Sequence, residues 1–257
     1  MSHEISSNAP FMAPNQTPFL LSLWASWRDS IKRRRAAGAR NDAGANVERI
    51  EMTAHVGTHI DALGHFSIGD RLYNGLSAEE TVTDWGLTQL GIEQAPAMIT
   101  RGLLLDVAGL DGDAHLEPGR SITPDELARS ADAAGVAIEP GDIVLIRTHW
   151  GRYFGADNTR YLFGKPGIDV PAARWLTERG VAAIGTDNMA IAVLPNPDPT
   201  LSMPVHQHAL AEAGVYLIEN LSLEALAADD VRAFCLVLLP IRFKGATGSP
   251  LRPVALI

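Results

Sequence analysis

Within eleven residues, His55-Val56-Gly57-Thr58-His59-Ile60-Asp61-Ala62-Leu63-Gly64-His65, the chain gathers three imidazoles and one carboxylate. Imidazole nitrogen and carboxylate oxygen are the donors that hold zinc or a first-row transition metal, and a further histidine beside such a site can exchange protons near neutral pH. A helix suits the segment poorly. It sets Asp61 about half a turn from the face shared by His55 and His59, and Gly57 costs roughly 1 kcal/mol. An extended or gently turning chain points positions 55, 57, 59 and 61 to one side, so two imidazoles and the carboxylate converge. The missing side chain at Gly57 then leaves room for an ion, and Thr58 with nearby backbone groups orients the rings. His65 follows a second glycine, within reach of the site without being forced to bind.

These residues need elements to hold them. Val47 to Ala54 alternates enough to be a strand that delivers His55. After the motif, Ser67 to Thr83 is irregular, and Asp70, Asn74 and Gly75 mark turns that form a rim over the site. Buried-type strands read at Gly102 to Val107, Asp142 to Thr148, Val181 to Gly185 and Val215 to Glu219. Thr123 as N-cap, Pro124 at the first helical position and Glu126 closing a capping box open the clearest helix, which Gly135 ends. Further helices read at Val170 to Arg179 and Pro204 to Glu212, and the last strands at Ala233 to Arg242 and Arg252 to Ile257. Strand, helix, strand in this order favours parallel pairing through right-handed crossovers. The expectation is an α/β single domain, a mixed β-sheet core with helices packed outside. Residues 1 to about 17 read as a polar arm and Pro18 to Ala37 as a helix whose Trp24 and Trp27 share a face for core or subunit packing. The chain thus divides into an N-terminal arm and helix, 1–40, and a main domain, 41–257.

A chain of 257 residues, 46% hydrophobic and 20% charged, is an ordinary globular protein. Its net charge of -9 argues against nucleic acid, whose phosphates need a basic face. The one basic run, Lys32 to Arg35, reads as a solvated helix face. Cys235 is the sole cysteine, which excludes an intramolecular disulfide and suits a reducing cytosol; its apolar neighbours predict burial. No apolar run approaches the roughly 20 residues of a membrane span. The first thirty residues are broken by polar groups and prolines where a signal peptide needs an apolar core, so the expected location is cytoplasmic. No Gly-x-Ser-x-Gly elbow and no glycine-rich nucleotide fingerprint is present.

Two later groups can complete a metal site: His206-Gln207-His208 on the 204–212 helix, and Glu219-Asn220 at the end of the next strand. Helical spacing sets 206, 207 and 208 about 100° apart, so at most two of them face the metal. A carboxamide oxygen at Gln207 suits a harder ion such as manganese.

The histidine cluster stands as the HxGTHxDxxxH signature, and with it the chain resembles the cyclase-type metal hydrolases, which include bacterial kynurenine formamidases and isatin hydrolase. The resemblance runs from Ile50 to the C-terminus through Gly141 to Thr148, Ala173 to Leu176, Gly185 to Asn188, Val205 to His208, Ile218 to Leu221 and Gly245 to Pro250. It implies a swivelling β/β/α-like fold, a homodimer or homotetramer, His55, His59 and Asp61 as metal ligands, and His65 as the catalytic histidine. Formamidase-like members complete a second metal site with a histidine twelve residues before a glutamate. Twelve before Glu219 stands Gln207. That departure resembles the isatin hydrolase branch and implies one divalent metal, manganese first and zinc second, held by His55, His59, Asp61 and Gln207. His206, His208 and Glu219 are then supporting or second-metal residues. The implied activity is hydrolysis of a small cyclic amide. The metal lowers the pKa of a bound water and polarises the carbonyl, and His65 passes the proton to the leaving group. Phe66, Trp85 and Trp150 are candidates to stack on an aromatic substrate. The alternatives are an arylformamidase or lactone hydrolase, and a non-catalytic metal- or ligand-binding protein.

Overall fold

The computed structural model describes every residue except Asp111, Asp113 and Ala114. The chain runs through β1 (Leu20–Ala25), α1 (Trp27–Ala36) and β2 (Val47–Glu51) before it enters the central sheet. That sheet comprises β3 (His59–Asp61), β4 (Met98–Asp106), β5 (Ile143–Arg147), β6 (Ala183–Thr186) and β7 (Tyr216–Glu219). It is completed by β8 (Ala233–Leu238), β9 (Gly248–Pro250) and β10 (Val254–Leu256). The spatial order is β9-β3-β7-β6-β5-β4-β8-β10. The four central strands, β7, β6, β5 and β4, are mutually parallel, and every outer pairing is antiparallel.

Parallel strands are buried on both faces, which demands apolar residues at successive positions. β5 shows how the sequence meets that demand. Val144 and Ile146 join one core with Leu127, Leu176 and Leu210 from the crossover helices, including α2 (Pro124–Ala133) and α3 (Val170–Thr177). Ile143 and Leu145 face a second core with Leu226, Phe234 and Leu236. Thr123 caps α2 through the expected capping box with Glu126.

The N-terminal region departs from expectation. Leu20–Ala25 is a strand, paired antiparallel with β2, and the helix begins only at Trp27, behind a capping box of Ser26 and Asp29. A partner strand distant in sequence decides the conformation here over local propensity. β2 stops at Glu51, so it does not carry His55. Cys235 is exposed rather than buried. Its neighbours Phe234 and Leu236 point into the core, and the period of two turns position 235 outward.

Beneath the sheet's carboxyl ends, Asp187 is completely buried. The Thr148 amide and hydroxyl donate to its Oδ1 at 3.0 and 2.6 Å, and Oδ2 has no hydrogen-bond partner among the described residues. Burial pushes its carboxyl up to about 6, against the Thr148 hydrogen bonds that favour the charged form. Folding therefore carries the cost of an ionised Asp187 above that pH, a cost that falls as pH drops through about 6 and is gone near the unfolded value of about 4. Asp187→Asn is expected to raise stability by about 1–3 kcal/mol at pH 8 and by much less at pH 4, measured by urea unfolding at the two pH values. Equal effects at both would contradict the assignment.

Candidate metal centre

Of the histidine motif only β3 is extended, and its neighbours set the site. β3 lies between β7 and β9, with His59 opposite Glu219 on one side and opposite Pro250 on the other. Residues directly opposite in a ladder point to the same face. His59, Asp61 and Glu219 therefore share a face, while Ile60 enters the core on the reverse side. His55 arrives from a turn, not a strand. Gly57 adopts φ +72°, and the His55 ring folds back so that Nδ1 lies 2.8 Å from Asp61 Oδ1 and Nε2 3.0 Å from Thr247 Oγ1. The space at Gly57 is not ion space. A Cβ there meets Ile5 Cγ1 at 2.7 Å, so the glycine admits the N-terminal arm.

His59 is held in one tautomer. Its Nδ1 lies 2.8 Å from the Gly57 carbonyl, which can only accept, so Nδ1 carries a proton and Nε2 is the nitrogen that faces the cluster. Asn220, at φ +55°, donates from Nδ2 to the same carbonyl at 2.9 Å and accepts from Tyr161 Oη at 2.6 Å. The buried tyrosine and carboxamide thereby fix the peptide that orients His59.

The later helix delivers a different side chain from the one expected. His206 Nε2 lies 3.1 Å from Glu219 Oε1 and 3.7 Å from Asp61 Oδ2. Gln207 turns away and donates from Nε2 to the Ser67 carbonyl at 3.1 Å. His208 is outside the cluster too, between Thr177 Oγ1 at 2.9 Å and Glu212 Oε2 at 2.8 Å. The reason is helical winding. Gln207–Ala213 is π-helical, which takes up more residues per turn than an α-helix, a departure frequent at functional sites. The thirteen-residue separation of His206 and Glu219 is thus absorbed where a twelve-residue spacing was looked for.

Two groups able to hold a metal ion result, His55-His59-Asp61 and Asp61-His206-Glu219, each with donor atoms within 4.8 Å of one another and with Asp61 in common. Asp61 and Glu219 are both buried. Burial drives the Asp61 carboxyl up, but His65, His55 and His59 hold it well below the usual carboxylate range. Burial and Asp61 push Glu219 up, and His206 and His59 bring it down. Burial also lowers His59, yet Asp61 and Glu219 prevail and raise it to about 9. Asp61 Oδ2 has no hydrogen-bond partner among the described residues. An unpaired buried carboxylate oxygen is costly, and this one is turned toward an imidazole and a second carboxylate. The donor set and that orphaned oxygen fit divalent cations.

His65 is not in either group. Its ring stacks on His55 at 4.0 Å and meets Phe66 edge-on at 4.9 Å. Burial pushes it down to about 4, with Asp61 opposing and His55 and His206 adding to the shift, so it is neutral at physiological pH and able to accept a proton. It borders a cavity of about 250 Å³ lined by Met12, Gln16, Phe66, Met189 and Met203, with His55, His206 and Glu219 at its base. Phe66 is placed there as expected. Trp85 is 94% exposed and Trp150 is fully buried; neither lines the cavity. Nor does the 67–83 segment: its place is taken by residues 12 to 16, since Gln16 Nε2 donates to the His55 carbonyl at 3.0 Å. Thr247, Tyr161 and these arm residues carried no signal of their own in the sequence, because each acts through a contact distant along the chain.

A carboxylate common to two groups of imidazole and carboxylate donors, beside a cavity, is what a metal-dependent hydrolase requires. Comparison with known proteins agrees. The model of the Cyclase family matches residues 1–193. A kynurenine formamidase of Geobacillus thermodenitrificans is 32% identical over 211 residues, 80% of this chain and 78% of the relative. A crystal structure described as a novel cyclase superposes with TM-score 0.86 at 29% identity, over all of this chain and 87% of the other. An isatin hydrolase bound to the product analogue thioisatinate superposes with TM-score 0.74 at 19% identity, over all of this chain and 90% of the other. At that identity the last likeness is one of fold, so the expected placement in the isatin hydrolase branch is withdrawn. It had rested on Gln207, which does not face the cluster. The chain belongs to the cyclase family, and it is an enzyme, an amidohydrolase acting on carbon–nitrogen bonds other than peptide bonds.

His206→Ala is expected to lower the divalent metal bound per subunit, and Gln207→Ala to leave it unchanged, by elemental analysis of protein dialysed against manganese or zinc. Loss of metal from the Gln207 variant alone would return the ligand role to the carboxamide.

Proposed function

We propose that this enzyme hydrolyses a small N-acyl arylamine, of the N-formylkynurenine kind, with two divalent cations held by His55, His59, Asp61, His206 and Glu219. The observation that carries the proposal is Asp61 placed in common between two ligand groups beneath a cavity walled by Phe66 and methionines. A cation held there supplies Lewis acidity, which polarises a carbonyl and acidifies water. Imidazoles and carboxylates suit zinc and manganese alike. With the carboxamide of Gln207 outside the cluster, the reason to rank manganese first is gone.

The chain's own residues supply the rest. His65, neutral and with no hydrogen bond to its ring nitrogens among the described residues, is free to take a proton from water and return it to the departing amine nitrogen. Phe66 and the thioethers of Met12, Met189 and Met203 offer an apolar, adaptable wall for an aryl group. Met12 and Gln16 bring the N-terminal arm into the same cavity wall. A cyclic amide such as isatin is the second reading, supported by the fold shared with isatin hydrolase. No helix among the described residues is long and apolar enough to cross a membrane, and the lone cysteine suits a cytoplasmic location.

The test is a panel of N-formylkynurenine, isatin and a simple lactone, with metal content measured on the same preparations. The formamide is expected to turn over fastest, and prolonged chelation to abolish its turnover. His65→Ala is expected to keep its metal and lose about 100-fold or more in kcat. Metal loss on that substitution would make His65 a ligand, and turnover of isatin alone would overturn the substrate assignment.

A further inference from the structure

Two lysine or arginine side chains are buried among the described residues, Arg147 at 3% exposure and Lys165 at 2%. Arg147 is answered by carboxylates, Asp106 Oδ1 at 2.8 Å and Glu224 Oε2 at 2.7 Å. Lys165 has no such answer. Its ammonium makes no hydrogen bond or ion pair among the described residues, and the charged group that acts on it, Glu219, lies beyond ion-pair reach. Burial lowers the Lys165 pKa to about 8 and Glu219 opposes the shift, so the group is still mostly charged at neutral pH. An unpaired buried ammonium costs stability, and lysine has only donors with which to recover it. Packing alone gives no reason to keep a charge there.

The backbone sets Lys165 against the wall of the cavity above the metal centre. Lys165 N donates to the Leu194 carbonyl at 2.9 Å, and Leu194 N donates back to the Lys165 carbonyl at 3.0 Å. Asn188 Nδ2 donates to the Pro166 carbonyl at 2.6 Å. Residues 165 and 166 are thus tied to both ends of the 188–194 segment, whose Met189 and Ala190 line the cavity, while Glu219 lies at its base. Charge balance indicates what the ammonium meets. Asp61 and Glu219 bring two negative charges to the centre, and a single divalent cation cancels them. With Lys165 added the loaded site is positive, although the chain as a whole carries -9, and an anionic group on the bound molecule restores the balance.

We propose that Lys165 recognises a carboxylate on the substrate, so that the arylamide hydrolysed here is an anionic one. The proposal rests on the reading of the cavity as the seat of an N-acyl arylamine, and adds the charge which that molecule carries. A carboxylate that accepts from a buried ammonium forms a charge-assisted bond, stronger than the same pair at a solvated surface. Lys165 then sets substrate choice, and the donors around Asp61 are left to the reaction.

The test reads binding rather than turnover, on full-length protein dialysed against zinc, with ortho-, meta- and para-aminobenzoate as fluorescent probes and the matching aminobenzamides as neutral controls. At least one aminobenzoate is expected to bind the unaltered protein about tenfold or more tighter than its amide. Lys165→Met and Lys165→Gln are expected to abolish that preference and to leave the affinity for the amide and the zinc content unchanged. Lys165→Met is also expected to melt at a higher temperature than the parent, because an unpaired buried charge has been removed. Should formamides fail to turn over, the reading of the reaction falls while this binding test stands. Equal affinity for acid and amide in the unaltered protein, a preference that survives both substitutions, or a Lys165→Met protein that melts below the parent would each overturn the proposal.

Discussion

The whole arrangement turns on one carboxylate. Asp61 is buried on the strand next to the sheet's edge strand, where an isolated negative charge would shift its pKa upward and neutralise itself. It remains ionised because His55 engages Oδ1 and because His59, His65 and His206 surround it. Proton sharing with imidazoles satisfies one oxygen only. The other has no hydrogen-bond partner among the described residues, and what converges on it is the His206 ring and a second carboxylate. Such a geometry is electrostatically poor for protein groups alone and well matched to positive ions.

The scaffold explains how so many donors meet at that point. β3 is only three residues long, yet it is hydrogen-bonded on both sides, so its register fixes two ligands and places Glu219 opposite His59. Short strands of this kind resist slippage because a shift of one residue would send His59 and Asp61 into the apolar core and bring Ile60 to the site. The remaining donors come from irregular backbone. His55 depends on a left-handed glycine and on Thr247, and His206 depends on the π-wound helix beyond it. Regular structure holds the carboxylates, and departures from it aim the imidazoles.

That division also sets what could be read from the sequence. The parallel strands, the capped helix at Thr123 and the histidine cluster were legible, since hydrophobic runs, caps and clustered donors are local signals. The order of ligands around the metal site was less so. Choosing among His206, Gln207 and His208 requires the phase of a helix, and a π-turn alters that phase without any residue type announcing it. For Leu20–Ala25 the apolar residues suit a helix as well as a strand, and only the partner at Val47–Glu51 settles the matter. Gly57 was recognised as necessary, but the neighbour it admits, Ile5, lies fifty residues away in sequence.

The donors around Asp61 and the cavity wall are carried by different parts of the molecule. Every donor near Asp61 is anchored by strands, by the helix before β7 or by a buried hydrogen bond, so these positions tolerate little change without loss of the site. The cavity wall is of another kind. Met12 and Gln16 belong to the arm, and Met189 and Met203 lie on stretches outside helix and strand. Thioether side chains adapt their shape at small cost, and loop positions accept substitution more readily than sheet positions do. A single scaffold can therefore keep the donors around Asp61 in place while the cavity wall is altered, because paired strands fix the one and the arm and irregular stretches supply the other.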